Sequence, residues 1–128
     1  MSRGLRIALV APVATSVPPP RSGSIEVLTA HLADGLVARG QEVTLFATGD
    51  STTRATLSPS FAHGYREDPA NWPWELCELF NLSSAVERAA DFDVIHCQSE
   101  YYPMSLAFDR LSATPLLHTV HYVPGEAE

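Results

Sequence analysis

The stretch LRIALVAP occupies residues 5–12 and decides the class of fold. Its apolar residues run almost without interruption and stop at Pro12, which is typical of a strand buried on both faces of a parallel sheet. A proline-rich loop follows, and a helical pattern begins at Ile25. A second apolar run, EVTLFA at residues 42–47, comes soon after that pattern ends. Strand, helix and strand in this order predict a βαβ unit with parallel strands.

The helix of this unit is predicted between Ser24 and Gly40. Its expected inward face, spaced by three, four and four residues, consists of Ile25, Leu28, Leu32 and Leu36. We expect Ser24 to cap the first turn and Glu26 to favour the positive end of the helix. Gly35 interrupts the helix at a cost of roughly 1 kcal/mol against alanine, which predicts close packing on the sheet.

The rest of the chain continues the alternation of strands and helices. We predict a short strand at 56–58, a helix beginning near Pro73, a strand at 93–97, a helix beginning at Tyr102-Pro103 and a strand at 115–120. The expected inward residues of these two helices are Leu76, Leu79, Phe80 and Val86, then Met104, Ala107, Phe108 and Leu111. This order predicts a single α/β domain over residues 1–128. Its expected form is a Rossmann-like, doubly wound parallel sheet with helices on both faces, a three-layer sandwich.

Composition narrows the classes of partner and location. The chain carries a net charge of −7, and its eight basic residues are all arginine, so no nucleic-acid partner is predicted. Its two cysteines form no disulfide framework. No apolar run approaches the roughly 18 residues that suggest a membrane span, and no secretory signal stands at the start. A cytoplasmic location is therefore expected.

Ligands of such sheets bind at the carboxyl ends of the strands. One candidate there is Ser22-Gly23-Ser24, where a helix N-terminus favours an anion, although a Ser/Gly start also serves simply as a cap. The chain has no Gly-x-Gly-x-x-Gly after the first strand and no Walker A loop. These absences argue against a dinucleotide-dependent dehydrogenase and a P-loop NTPase.

Three histidines follow the last two predicted strands: His96, His118 and His121. His118 and His121 are three residues apart and would face opposite sides of an extended strand, so no metal site is predicted. His96 or His118 suits a hydrogen-bonded core histidine. His121 faces a ligand better, either as a hydrogen-bond donor to a sugar or as a neutral, carbonyl-bonded imidazole. Glu100 fits a general base or an exposed acid at a helix start.

Several segments, in their order and spacing, resemble glycosyltransferases of the family 4 type, which are retaining enzymes. They are 6–12, 17–20, 23–26, 35–40, 43–47, 49–51, 93–96 and 118–121. The resemblance implies the GT-B fold, which has two Rossmann-like domains. It implies that this chain is a part of the amino-terminal, acceptor-side half of such an enzyme, and that the carboxyl-terminal, donor-binding domain is absent from the 128 residues.

The resemblance also implies an activity and roles for single residues. The expected reaction transfers a hexosyl group from a nucleotide sugar to a small-molecule acceptor, with the nucleotide sugar as substrate and no cofactor. Gly23 and Ser24 would lie near the donor diphosphate, and His121 would be the catalytic histidine that contacts the transferred sugar. The remaining substrate-binding candidates are Glu26, His96, Gln98, Thr119 and Tyr122. Ser24, Gln98 and Tyr122 depart from the residues most frequent in the family, which are glycine, histidine and glycine. The isolated chain is expected to be inactive.

Two other interpretations stay open from the sequence. One is a free-standing Rossmann-like binding or interaction module without catalysis, in which a homodimer covers the sheet edge. The other is a small flavodoxin-like domain, which would bind a flavin and show its absorbance. No loop in the chain argues strongly for the flavin.

Overall fold

Five strands and three α-helices alternate along the chain. The computed structural model describes residues 4–99, 101 and 103–121. The strands are β1 (Arg6–Val10), β2 (Glu42–Ala47), β3 (Thr56–Pro59), β4 (Val94–Cys97) and β5 (Leu116–His118). The helices are α1 (Ser24–Ala38), α2 (Trp74–Glu87) and α3 (Pro103–Leu111), with a 3₁₀ turn at Ala89–Asp91.

The five strands form one parallel sheet in the order β3-β2-β1-β4-β5. At its centre, Leu9 of β1 is aligned with Leu45 of β2 and with His96 of β4. The chain therefore places β2 and β3 on one side of the central strand β1, and then β4 and β5 on its other side. The predicted Rossmann-like α/β class is confirmed.

Both faces of β1 are buried, which explains its continuous apolar run. Ile7, Leu9 and Ala11 lie in a core that α1 covers. Ala8 and Val10 lie in a second core, together with Phe46, and side chains of α2 and α3 pack against it. Successive strand residues point to opposite faces, so an alternating pattern could not fill both cores. The sheet is the middle layer of three.

The predicted inward face of α1 is confirmed in part, because Leu32 and Leu36 pack against the first core. The residues fully buried in α1 are Glu26, Thr29 and Ala33, and Leu28 is 54% exposed. Gly35 is exposed, and a Cβ there would meet nothing within 4 Å, so the expected close packing on the sheet is wrong. Ser24 is the first helical residue rather than the cap, and Gly23 occupies the cap position without a side-chain bond.

The predicted face of α2 is also wrong in part. Leu76 and Phe80 are 49% and 43% exposed, whereas the buried residues are Cys77, Glu78, Asn81, Leu82 and Ala85. The helix begins at Trp74, one residue after Pro73. The face with Glu78 and Asn81 points inward because their polar groups form hydrogen bonds with buried backbone groups. Glu78 accepts from the Val13 amide, and Asn81 donates to the carbonyls of Ala11 and Phe46. Leucine side chains could not satisfy those groups.

The third helix matches its prediction at two positions of four. Met104 and Phe108 pack against the second core, as expected. Ala107 is exposed and Leu111 is 81% exposed, which corrects their predicted inward placement. Strand β5 ends at His118, two residues before the predicted limit. No helix in the described ranges combines the length and the apolar character needed to cross a membrane.

Candidate functional site

The crevice between β1 and β4 is the natural ligand site of this sheet. The strand order reverses there, because β1 connects to β2 on one side while β4 and β5 continue on the other. Connections leave such a point in opposite directions and open a gap at the carboxyl ends of the strands. The residues that border this gap come from the loop after β1 and from the segments after β4 and β5.

The loop after β1 is unusually well buried and held. All seven residues from Ala11 to Val17 are buried. The Nδ2 of Asn81 donates to the carbonyls of Ala11 and Phe46, each at 3.0 Å, and the Val13 amide donates to Oε2 of Glu78 at 3.1 Å. A buried loop needs such partners for its backbone groups. The loop is thereby fixed as a wall of the crevice before any ligand arrives.

The start of α1 places a carboxylate beside the predicted phosphate loop. Glu26 is only 2% exposed, and its Oε1 would lie 2.6 Å from a Cβ on Gly23. A side chain at position 23 would therefore displace this carboxylate from its place against the backbone. A negative group near the first turn also suits the helix dipole. Gly23, Ser24 and Glu26 are brought together here, after the loop that leaves β1.

His96 and His118 lie on opposite faces of the sheet, and each forms a hydrogen bond with a hydroxyl group. His96 is aligned with Leu9 of β1 and therefore points to the same face of the sheet. Its Nε2 lies 2.7 Å from the hydroxyl of Thr119. His118 aligns with Cys97, and its Nδ1 lies 2.5 Å from Oγ of Ser105 in α3. Both rings are half-buried. The prediction of a hydrogen-bonded histidine near the core holds for both residues.

His121 pairs with Gln98 across the same edge. Its Nε2 lies 2.9 Å from Oε1 of Gln98, so the ring donates to the amide oxygen. In the neutral ring, Nδ1 then keeps its lone pair and can accept a hydrogen bond. Gln98 itself is 3% exposed, and its backbone amide extends the ladder by donating to Val10 at 2.8 Å.

The amide nitrogen of Gln98 is a buried donor with unused capacity. Among the residues that the structure describes, Nε2 of Gln98 has no hydrogen-bond partner. Leaving a buried donor unsatisfied costs about 1–3 kcal/mol. A ligand oxygen that reached this nitrogen would remove that cost.

Burial favours the neutral form of two of the histidines, since it lowers their pKa values. Desolvation lowers the pKa of His96, and the nearby His121 ring lowers it further. Desolvation also lowers the pKa of His118, partly opposed by a bond to the backbone of Ser99. Neutral imidazoles, a hydroxyl and an amide offer both donors and acceptors without charge. Such a set suits a ligand rich in hydroxyl groups.

The structure thus brings together four of the predicted site residues: His96, Gln98, Thr119 and His121. Tyr122 and Glu100 lie outside the described residues. Sequence reasoning missed Ser105, Glu78 and Asn81, because their partners are distant in the chain and no local pattern marks them. Within 4–99, 101 and 103–121, no group of three or more His, Cys, Asp or Glu side chains is arranged to hold a metal ion.

Two open clefts lie at the carboxyl edge. One, of about 450 Å³, is bordered by α3 and β5 and includes His118. The other, of about 500 Å³, lies between the loop after β1 and the segment after β3, and includes Thr15 and Arg66. Each is large enough for a sugar-sized ligand.

Comparison with known families gives one match. The model of the family described as Glycosyltransferase Family 4 matches residues 25–126, well over half of the chain. The matched range includes β2 to β5 and the whole histidine edge, and it begins just after Gly23 and Ser24. A search of curated proteins finds none that matches the chain.

Proposed function

The chain belongs to glycosyltransferase family 4, and on that premise we propose that its carboxyl edge at β4 and β5 holds the sugar that is transferred. The domain is then the acceptor-side, amino-terminal part of an enzyme that moves a hexosyl group from a nucleotide sugar to a small-molecule acceptor. The nucleotide sugar is a substrate, and no cofactor is required.

The observation that carries this proposal is the Gln98–His121 pair. Gln98 is buried with a donor that lacks a partner among the described residues, and the neutral ring of its partner His121 offers an acceptor at Nδ1. A sugar hydroxyl both donates and accepts, so one hydroxyl group can serve both atoms. This match of donor and acceptor favours a polyhydroxylated ligand over an apolar one.

The other residues take supporting roles. His121 is the catalytic residue, because it contacts the sugar directly. Thr119 fixes the ring of His96 at 2.7 Å, and both present polar atoms to the same edge. Tyr122 follows His121 directly in the sequence and belongs to the same proposed contact set.

The donor diphosphate is proposed to lie at Gly23 and Ser24, before the first turn of α1. Backbone N–H groups at a helix start favour phosphate oxygens. Glu26 is buried at the same turn and belongs to the proposed set of substrate-binding residues.

We expect the isolated chain to bind but not to turn over its substrate. One edge of a sheet leaves the ligand open to water on its other side, and the resemblance assigns most of the nucleotide-sugar contacts to a second domain. Cys77 and Cys97 are free and buried, which suits a reducing compartment and supports a cytoplasmic location.

Titration with nucleotide sugars tests this proposal. We expect UDP- or GDP-hexoses to shift the backbone amide signals of Gln98, Thr119 and His121 in heteronuclear NMR spectra. The substitution His121→Asn should weaken that response, whereas His31→Asn, on the exposed face of α1, serves as the matched control. Hexosyl release by the 128-residue chain alone would contradict the inactivity. Unchanged signals with every nucleotide sugar would contradict the assigned site.

The alternative function is a binding or interaction module without catalysis, and an exposed aromatic surface favours it. Phe61, Trp72 and Phe80 pack edge to face with ring centroids 5.4–5.8 Å apart, and Trp72 and Phe80 are 52% and 43% exposed. Exposed apolar clusters commonly mark protein contacts. The alternative predicts a homodimer in sedimentation equilibrium that Trp72→Ser dissociates. A monomer at all concentrations contradicts it.

A further inference from the structure

A second cleft at the carboxyl edge has the chemistry of an anion site. It lies on the side of β1 away from the histidines, since its walls come from the loop after β1 and from the segment that follows β3. Its volume is about 500 Å³, and it is lined by Thr15, Pro20, Arg21, Ser22, Arg66 and Glu67.

The two arginines of this cleft are not neutralised by ion pairs with described residues. Within the described ranges, neither Arg21 nor Arg66 forms an ion pair, whereas Arg6 pairs with Asp93 at 2.9 Å and Arg88 with Asp91 at 3.2 Å. Two guanidinium groups face one carboxylate, Glu67, so the cleft has a net charge of 2 − 1 = +1. This is notable because the whole chain carries −7.

The one carboxylate in the cleft is already engaged. Oε1 of Glu67 accepts a hydrogen bond of 2.6 Å from the hydroxyl of Thr15, a residue that is 3% exposed. Because Thr15 donates its proton to Glu67, the lone pairs on its oxygen stay available for a ligand hydroxyl. The backbone is also fixed, since the amide of Arg66 donates to the carbonyl of Ala14 at 3.0 Å.

We propose that this cleft binds a phosphoryl group carried by the acceptor. A carboxylate has two oxygens, and a single bidentate guanidinium satisfies both of them. Two guanidinium groups in one cleft fit the larger set of oxygens of a phosphate monoester. The hydroxyl of Thr15 then contacts a neighbouring alcohol of the same molecule. The acceptor class is therefore a phosphorylated polyol, and this inference rests on the proposed function.

Another arginine-bearing cleft does not compete for the same role. It lies at the amino ends of the strands and is bordered by Arg6, Arg54 and Arg88. Arg6 and Arg88 are bound by carboxylates there, and ligands of parallel sheets gather at the opposite edge. Arg54 therefore provides a matched control, as an exposed arginine whose loss changes the net charge equally.

The test is an NMR titration of the chain with inorganic phosphate, hexose 6-phosphate, the unphosphorylated hexose and UDP. We expect inorganic phosphate and hexose 6-phosphate to shift the amides of Thr15, Arg21 and Arg66, and the hexose to bind more weakly. Losing one charge-assisted hydrogen bond should weaken phosphate binding about tenfold in Arg21→Gln and in Arg66→Gln. Arg54→Gln should leave it unchanged.

Three outcomes would overturn the assignment. The first is that phosphate shifts none of these amides. The second is that Arg54→Gln weakens binding as much as Arg66→Gln, which would show attraction by overall charge. The third is that UDP occupies the cleft more tightly than hexose 6-phosphate, which would make it a donor site. Failure of the proposed function appears elsewhere, as unchanged signals of Gln98 and His121 with nucleotide sugars.

Discussion

Replacing Gly64 by alanine should destabilise the fold at the wall of the crevice. Gly64 is buried against the loop after β1. A Cβ at this position would overlap the carbonyl of Ala14 and would lie 2.6 Å from Cα of Thr15. All of these are backbone atoms of a loop held from several sides, so no flexible side chain can move away.

The loss of stability can be estimated for two cases, in which the fold either keeps the overlap or moves segment 64–67 outward. Overpacking of this kind costs about 1–3 kcal/mol. If segment 64–67 moves outward instead, it loses the amide bonds from Tyr65 to Val13 and from Arg66 to Ala14, at 3.1 and 3.0 Å. Two such bonds contribute about 1–3 kcal/mol together. Either route gives a loss of about 1–3 kcal/mol in the free energy of unfolding.

Urea denaturation followed by tryptophan fluorescence measures this loss. With a urea slope of about 2 kcal/mol/M, Gly64→Ala should lower the midpoint by about 0.5–1.5 M. Gly35→Ala is the matched control, because a Cβ there meets nothing within 4 Å and the helix gains about 1 kcal/mol. The two variants should move the midpoint in opposite directions. An unchanged or raised midpoint for Gly64→Ala would refute the reasoning.

Three further predictions concern other parts of the fold. Asn81→Ala should cost about 1–3 kcal/mol in urea denaturation, because the Ala11 carbonyl loses its bond from Asn81 and the Phe46 carbonyl keeps only the bond from the Ala11 amide; a loss no larger than that of an exposed polar residue would contradict it. Burial lowers the pKa of His96 and His118 in the folded chain below the ordinary value of 6.5. As the pH drops below about 6.5, the unfolded chain therefore binds protons at these rings more readily than the folded chain, and the free energy of unfolding falls. The double substitution of both by glutamine should flatten this slope in denaturation curves measured across the pH range; an equal slope would be inconsistent with it. Burial raises the pKa of Cys97 to about 11, so a thiol reagent should react with it only after unfolding, and rapid reaction in the native state would argue against its burial.

The order of the elements and the class of sheet follow from the amino-acid sequence alone. The run that ends at Pro12 has apolar residues on both faces, and only a strand covered on both sides needs that pattern. Because the following strands are of the same kind and helices separate them, parallel pairing follows from chain connectivity. The carboxyl edge, with His96 and His121 near it, could be located on that basis.

The helix faces that point inward and the polar groups that meet depend on tertiary packing. Glu78 and Asn81 are buried although Leu76 and Phe80 of the same helix are exposed. Hydrophobic periodicity cannot reveal this, since the buried polar groups bond carbonyls and amides far away in the sequence. The pairing of Gln98 with His121, and the meeting of Arg21 with Arg66 across one cleft, have the same origin. The spacing of apolar residues along the sequence indicates which segments bury apolar surface. Hydrogen bonds and shared clefts between distant segments form only when the chain folds, so that spacing does not predict them.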